Sequence, residues 1–183
     1  MLSLIKTGAP EAIKVDGAFF PIHTDFRYWI NFSQILKEHP AYTDFDFLYI
    51  GEKPENRKAG FDSLFEFYLD QKALPKIKKE DGLERAYDYE LDADLIFAAF
   101  YEVYKIDLTE AKLHWHKFRA LFDGLHGTKL NDVIGYRLYD DSEKKDYKKA
   151  MLELKAMWAL PEEITEEDQQ AIDDFDSKLR NKN

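Results

Sequence analysis

The 183-residue chain contains no cysteine, which excludes disulfides, thiolate zinc sites, iron–sulfur clusters and a cysteine nucleophile. Its 8 glycines are dispersed, and none forms G-x-G-x-x-G or a Walker pattern, so a phosphate-cradling loop is excluded as well. No apolar run approaches the length of a membrane span. The opening Met1-Leu2-Ser3-Leu4-Ile5-Lys6 lacks the basic region and the longer apolar stretch of a signal peptide. Positive charge is also short: 26 Lys plus Arg stand against 36 Asp plus Glu, a net −10. A surface of that sign has no long-range attraction for phosphate backbones, which argues against nucleic-acid binding. What the chain does have is aromatic side chains, 14 Phe and 11 Tyr, enough apolar area to build a core. Its length favours one compact domain.

The pattern predicts a mainly α protein: a multi-helix globular domain over residues 1–160, opened by a β-hairpin at about 11–23. Asp16-Gly17 is the dipeptide that a two-residue type I′ turn requires. That turn pairs Val15 with Ala18, Ile13 with Phe20 and Glu11 with Ile22, placing Ile13, Val15, Ala18, Phe20 and Ile22 on one face. Pro21 then falls at a non-hydrogen-bonded pair, where it should blunt further strand addition. The period turns helical at Thr24 or Asp25 and runs to about Lys37, with Phe26, Trp29, Ile30, Phe32 and Leu36 on the apolar side. Tyr42 to Ile50 is ambiguous between helix and extended chain. A second helix is expected over Lys58–Lys72 through Phe61, Leu64, Phe65 and Tyr68, followed by a charged connector over Pro75–Gly82.

Further helices are expected over Asp92–Tyr104, from a Thr109 cap through Leu113, Phe118, Leu121, Phe122 and Leu125, and over Lys129–Tyr136. Another begins near Ser142 and buries Tyr147, Met151, Leu154 and Trp158. Beyond Pro161, Thr165-Glu166-Glu167-Asp168 resembles a capping box, opening a helix that carries only Ile172, Phe175 and Leu179 as apolar seam. Eight acidic and three basic side chains lie between Pro161 and Asn183. Two readings stay open for this segment: a solvated helix docked by those three side chains, or an acidic partner-binding helix.

Candidate chemistry is thin. His114-Trp115-His116 invites a metal reading, but residues two apart on a helix point about 200° from each other. His114 would lie within the apolar stripe and His116 on the polar side. Asp88, Glu90, Asp92 and Asp94 alternate, yet an EF-hand frame from Asp88 would put Ala93 and Ala99 where Gly and Glu are needed. Asp92 and Asp94 are expected to cap and charge the following helix instead. Ser33, Ser63 and Ser142 sit in helical or capping contexts, without G-x-S-x-G. No catalytic, cofactor or metal site is assigned, and the chain reads as a non-enzyme.

Pro21-Ile22-His23-Thr24-Asp25-Phe26-Arg27 forms one block after the Val15-Asp16-Gly17 turn. Further blocks run from Tyr87 to Phe100, Tyr104 to Leu108, Leu113 to Leu121 and Ile134 to Arg137. In content, order and spacing they resemble the bacteriophage gp-fifteen family of siphophages and prophages in Gram-positive bacteria. Lys105 stands where that family usually has Gly, and His116 where a second Trp is usual. The resemblance implies a tail-module protein, encoded between the major tail and tape-measure proteins, without an established catalytic group. It implies a chaperone-like tail-assembly factor that binds the tape-measure protein in the host bacterial cytoplasm. The alternative is a minor structural virion component; a metal-dependent enzyme using the Asp88–Asp94 carboxylates ranks last. Ile172, Phe175 and Leu179 are the candidate partner-binding residues, and assembly into a homo-oligomer stays open.

Overall fold

Asp16 and Gly17 both take positive φ, 48° and 90°, as a type I′ turn demands. They join β1 (Ala12–Val15) to β2 (Ala18–Pro21) in the expected antiparallel register, Val15 opposite Ala18 and Ile13 opposite Phe20. Ile13, Val15 and Ile22 are buried, Phe20 is half-buried and Ala18 is exposed. Pro21 does sit at a non-hydrogen-bonded pair, but it does not stop pairing. Ile50 N–H donates to its carbonyl at 2.9 Å, and His23 N–H donates to Leu48 O at 2.8 Å. The missing proline N–H is simply skipped, because the next strand's bonds use its carbonyl and the amide two residues on. The ambiguous 42–50 stretch is thereby resolved: a 3₁₀ turn over Asp46–Leu48, then an extended step bridging Ile22 with Tyr49.

The computed structural model describes residues 7–39, 41–42, 44–70, 86–140 and 147–161. Six α-helices lie among them: α1 (Phe26–Glu38), α2 (Arg57–Leu69), α3 (Ala93–Tyr104), α4 (Trp115–Asp123), α5 (Lys129–Arg137) and α6 (Lys148–Trp158). The 75–82 connector, the Ser142 start, and the seam of Ile172, Phe175 and Leu179 lie outside the described residues.

Local chemistry explains most boundaries. The Asp25 carboxylate accepts from Arg27 N–H and caps α1, which buries Phe26, Trp29 and Phe32. Thr128 and Asn131 form a reciprocal capping box on α5. In α2 the buried side chain of the third turn is Phe67, while Phe65 is 38% exposed. Gly60 in α2 admits Pro54 and the Tyr49 hydroxyl so closely that a Cβ there would meet both below 3 Å. Lys105 ends α3 in the left-handed region at φ 56°, the conformation that glycine adopts most readily.

The expected α4 starts too early. Asp107 accepts from both the N–H and the hydroxyl of Thr109, at 2.8 and 2.6 Å, folding residues 107–110 into a turn. The helix begins instead at Trp115, with His114 as its cap. Its start is pinned to that of α1: Phe26 N–H donates to Leu113 O and Trp115 N–H donates to Thr24 O. Phe26, Trp29, Phe32, Trp115, Phe118 and Phe100 form the centre of one aromatic core, with ring centroids 4.7 Å apart for Phe26–Phe118 and 5.1 Å for Phe100–Phe118. On the far side α6 packs on α5 without burying any residue fully. Tyr147, expected inside, is exposed, and Met151, Leu154 and Trp158 are only half-buried.

Candidate docking cleft

Between α1 and α3 the surface opens into a cleft of about 450 Å³. Ile30 and Phe26 form one wall, Ile96 and Phe97 the other, and Phe118 with Tyr89 the base. Arg27 fixes one end. Its guanidinium donates to Leu108 O at 2.6 Å and Thr109 O at 3.2 Å, and pairs with the Asp25 carboxylate at 3.0 Å. The 107–110 turn is thus tied to α1 by a charged clamp across more than eighty residues of sequence. Asp94, from the first turn of α3, also lines the cleft and is exposed. Phe97 stacks on Tyr101, 54% exposed one turn further along α3, which carries apolar surface out of the cleft. Burial pushes the Tyr89 phenol well above its usual range, so the base carries no charge near neutral pH.

The alternating carboxylates are not brought together. Asp88 is buried and accepts from the N–H groups of Glu90 and Leu91 at 2.9 and 3.0 Å, with the Lys37 ammonium at 3.0 Å. Burial works to raise its pKa, but those donors outweigh it and hold the carboxyl well below the usual range. Asp92 sits at the N-cap of α3 but does not cap it. Its oxygens take the Arg137 guanidinium in a two-pronged pair at 2.6 and 2.8 Å, with both side chains buried. Arg137 also donates to Trp158 O at 2.6 Å and Ala86 O at 3.2 Å, so one side chain joins α3, α5 and the end of α6. Glu90 and Asp94 are exposed.

The two histidines do not take the expected places: His116 is buried and His114 is half-buried. His114 lies outside the helix; its Nδ1 accepts from His116 N–H at 3.1 Å, and its Nε2 contacts Pro10 O at 2.9 Å. His116 is the buried one, 1% exposed, with Nε2 at 2.9 Å from Phe67 O and Nδ1 at 3.6 Å from Asp70. Because His114 is a cap and not a helical residue, the 200° argument does not apply, and the ring centroids are 5.0 Å apart. Backbone groups nevertheless occupy both Nε2 atoms and Nδ1 of His114. Among the described residues no group of three or more His, Asp or Glu could hold a metal ion.

Burial lowers the His116 pKa to about 4, against the opposing pull of the Phe67 carbonyl and Asp70. The folded state therefore resists a proton that the unfolded chain accepts at about 6.5. Stability should fall by about 3 kcal/mol as pH drops from 6.5 to 4. Asp88 adds its own loss at lower pH, where the unfolded chain's carboxyl takes up a proton that the folded carboxylate still resists. A Tm series across pH 4–7 should show the first slope, and His116→Gln should remove most of it.

With the cleft and the buried Asp92–Arg137 pair described, comparison with known sequences is informative. Residues 7–160 match the family described as Bacteriophage Gp15 protein. The chain belongs to that family. The matched span contains the cleft, the ion pair and both histidines, and stops at the end of α6. No curated protein and no solved structure matches the chain. Among the described residues no helix is long and apolar enough to cross a membrane.

Proposed function

We propose that this phage protein is a non-enzymatic tail-assembly factor that works in the host bacterial cytoplasm. In this reading it holds an amphipathic helix of another tail protein, the tape-measure protein, in the α1–α3 cleft. The observation that supports this is the cleft itself, whose lining is mostly apolar and carries Arg27 from α1 and Asp94 from α3. Such a groove takes apolar anchors at i, i+3 and i+4 of a guest helix, while charges at the ends set its direction. The net −10 of the chain would keep a complex with an aggregation-prone partner in solution.

Co-expression tests the reading. The tape-measure protein should be more soluble with this chain than without it, and Phe97→Asp should abolish the gain. Tyr101→Glu, at an exposed position, keeps the fold intact and should weaken capture at least tenfold. An unchanged solubility with the wild-type chain would overturn the proposal. So would stoichiometric amounts of the chain in purified virions by mass spectrometry, which would make it a structural component.

A further inference from the structure

Charge in the α1–α3 cleft becomes one-sided once its internal pairs are set aside. Two charged residues line it, Arg27 and Asp94. The Arg27 guanidinium is already used: Nη1 holds both oxygens of Asp25 at 3.0 Å, and Nη2 donates to the carbonyls of Leu108 and Thr109. Lys117 and Arg119, which flank the basal Phe118 in sequence, lie outside the lining. Asp94 is exposed, and among the described residues no hydrogen bond or ion pair engages its carboxylate. To an incoming chain the lining therefore offers one uncommitted charge, and it is negative. Asp94, Phe97 and Tyr101 follow one stripe of α3 at i, i+3 and i+7, with Phe97 stacked on Tyr101. A helix laid on that stripe meets Asp94 one turn, about 5 Å, from its contact with Phe97.

We infer that the cleft selects basic helices: its guest carries a Lys or Arg beside the apolar seam, one turn from the anchor on Phe97, and that cation pairs with Asp94. A guest with Asp or Glu at the same place is rejected. The inference rests on the cleft reading given above and adds which amphipathic helices the cleft accepts. An exposed ion pair gains little, whereas like charges set against each other at a packed contact cost more, so Asp94 acts mainly by exclusion. The net −10 of the chain works in the same sense at longer range, drawing basic segments in and repelling acidic ones.

Overlapping peptides of about 18 residues, long enough to form helix, tile the tape-measure protein and are offered to the full-length chain. Those captured should carry Lys or Arg beside an apolar i, i+3, i+4 seam. Exchanging that cation for Glu should weaken binding about tenfold, read by fluorescence anisotropy. Asp94→Lys should reverse the order and gain the Glu-bearing peptide, a gain that a misfolded variant cannot show. Phe97→Asp should lose the basic peptides; because it adds negative charge, mere attraction to an acidic surface would instead hold them. Capture that needs Phe97 but ignores the exchange of charge would overturn this inference and leave the cleft reading standing. No capture by the wild-type chain would overturn both. So would a dimer in sedimentation that Phe97→Asp splits, since a second copy would then fill the cleft.

Discussion

Replacing Arg137 with alanine should lower the free energy of unfolding by about 3–5 kcal/mol, read from urea denaturation. The reason is what remains behind. Asp92 is 4% exposed and would be left buried without the partner that its two oxygens now hold. Two backbone carbonyls, of Ala86 and Trp158, lose their donor at the same time. Asp92→Leu with Arg137→Met should recover part of the loss, because a buried pair exchanged whole for apolar groups costs little. The recovery stays incomplete, since the two carbonyls are still unmet. Arg137→Lys should behave more like the alanine variant than its charge suggests, as a single ammonium cannot serve two carboxylate oxygens and two carbonyls. A loss below 1 kcal/mol for Arg137→Ala would remove the pair from its place as the joint of α3, α5 and α6.

Trp115→Ala is expected to cost a further large amount, about 3–5 kcal/mol, from a different cause. The indole is fully buried at the head of α4, its N–H donating to Tyr68 O at 2.9 Å. Tyr68, Trp29 and Phe118 stack around it, with centroids 5.3, 6.5 and 5.9 Å away. Removing it opens a cavity that rigid rings cannot close by small rotations. The Tyr68 carbonyl is spared the full penalty, because Arg119 also donates to it at 3.2 Å. Thermal unfolding should shift down by roughly 10 °C. A shift of one or two degrees would mean that the aromatic core collapses into the gap, contrary to the packing described.

The hairpin and α1 were legible in the sequence because their determinants are local. Asp16-Gly17 permits only one kind of tight turn, and Asp25 caps the helix whose apolar side follows it. The start of α4 was not legible, because two local signals compete. Thr109 has the chemistry of a cap, but Asp107 captures it first and Arg27 holds the carbonyls of the same turn. Counting the helix from Thr109 put His114 inside and His116 out, whereas His116 is fully buried and His114 is a half-buried cap. The role of Asp92 was hidden for another reason: its partner lies 45 residues away. The cleft could not be read either, since Ile30 and Phe97 count simply as core residues until α1 and α3 are set side by side. The family resemblance was carried by blocks that the fold brings into contact, Asp92 from one and Arg137 from another.

The small sheet has a bearing on how this phage protein meets other chains at its edges. Along β2, Leu48 and Ile50 already take the outward-facing backbone groups at His23 and Pro21. Along β1, the Ser63 hydroxyl of α2 seals the Lys14 carbonyl at 3.1 Å. Neither margin presents an uninterrupted ladder to a visiting strand. The sheet thus offers no template for growing into a ribbon, and contact with neighbouring chains is left to side chains on the helices.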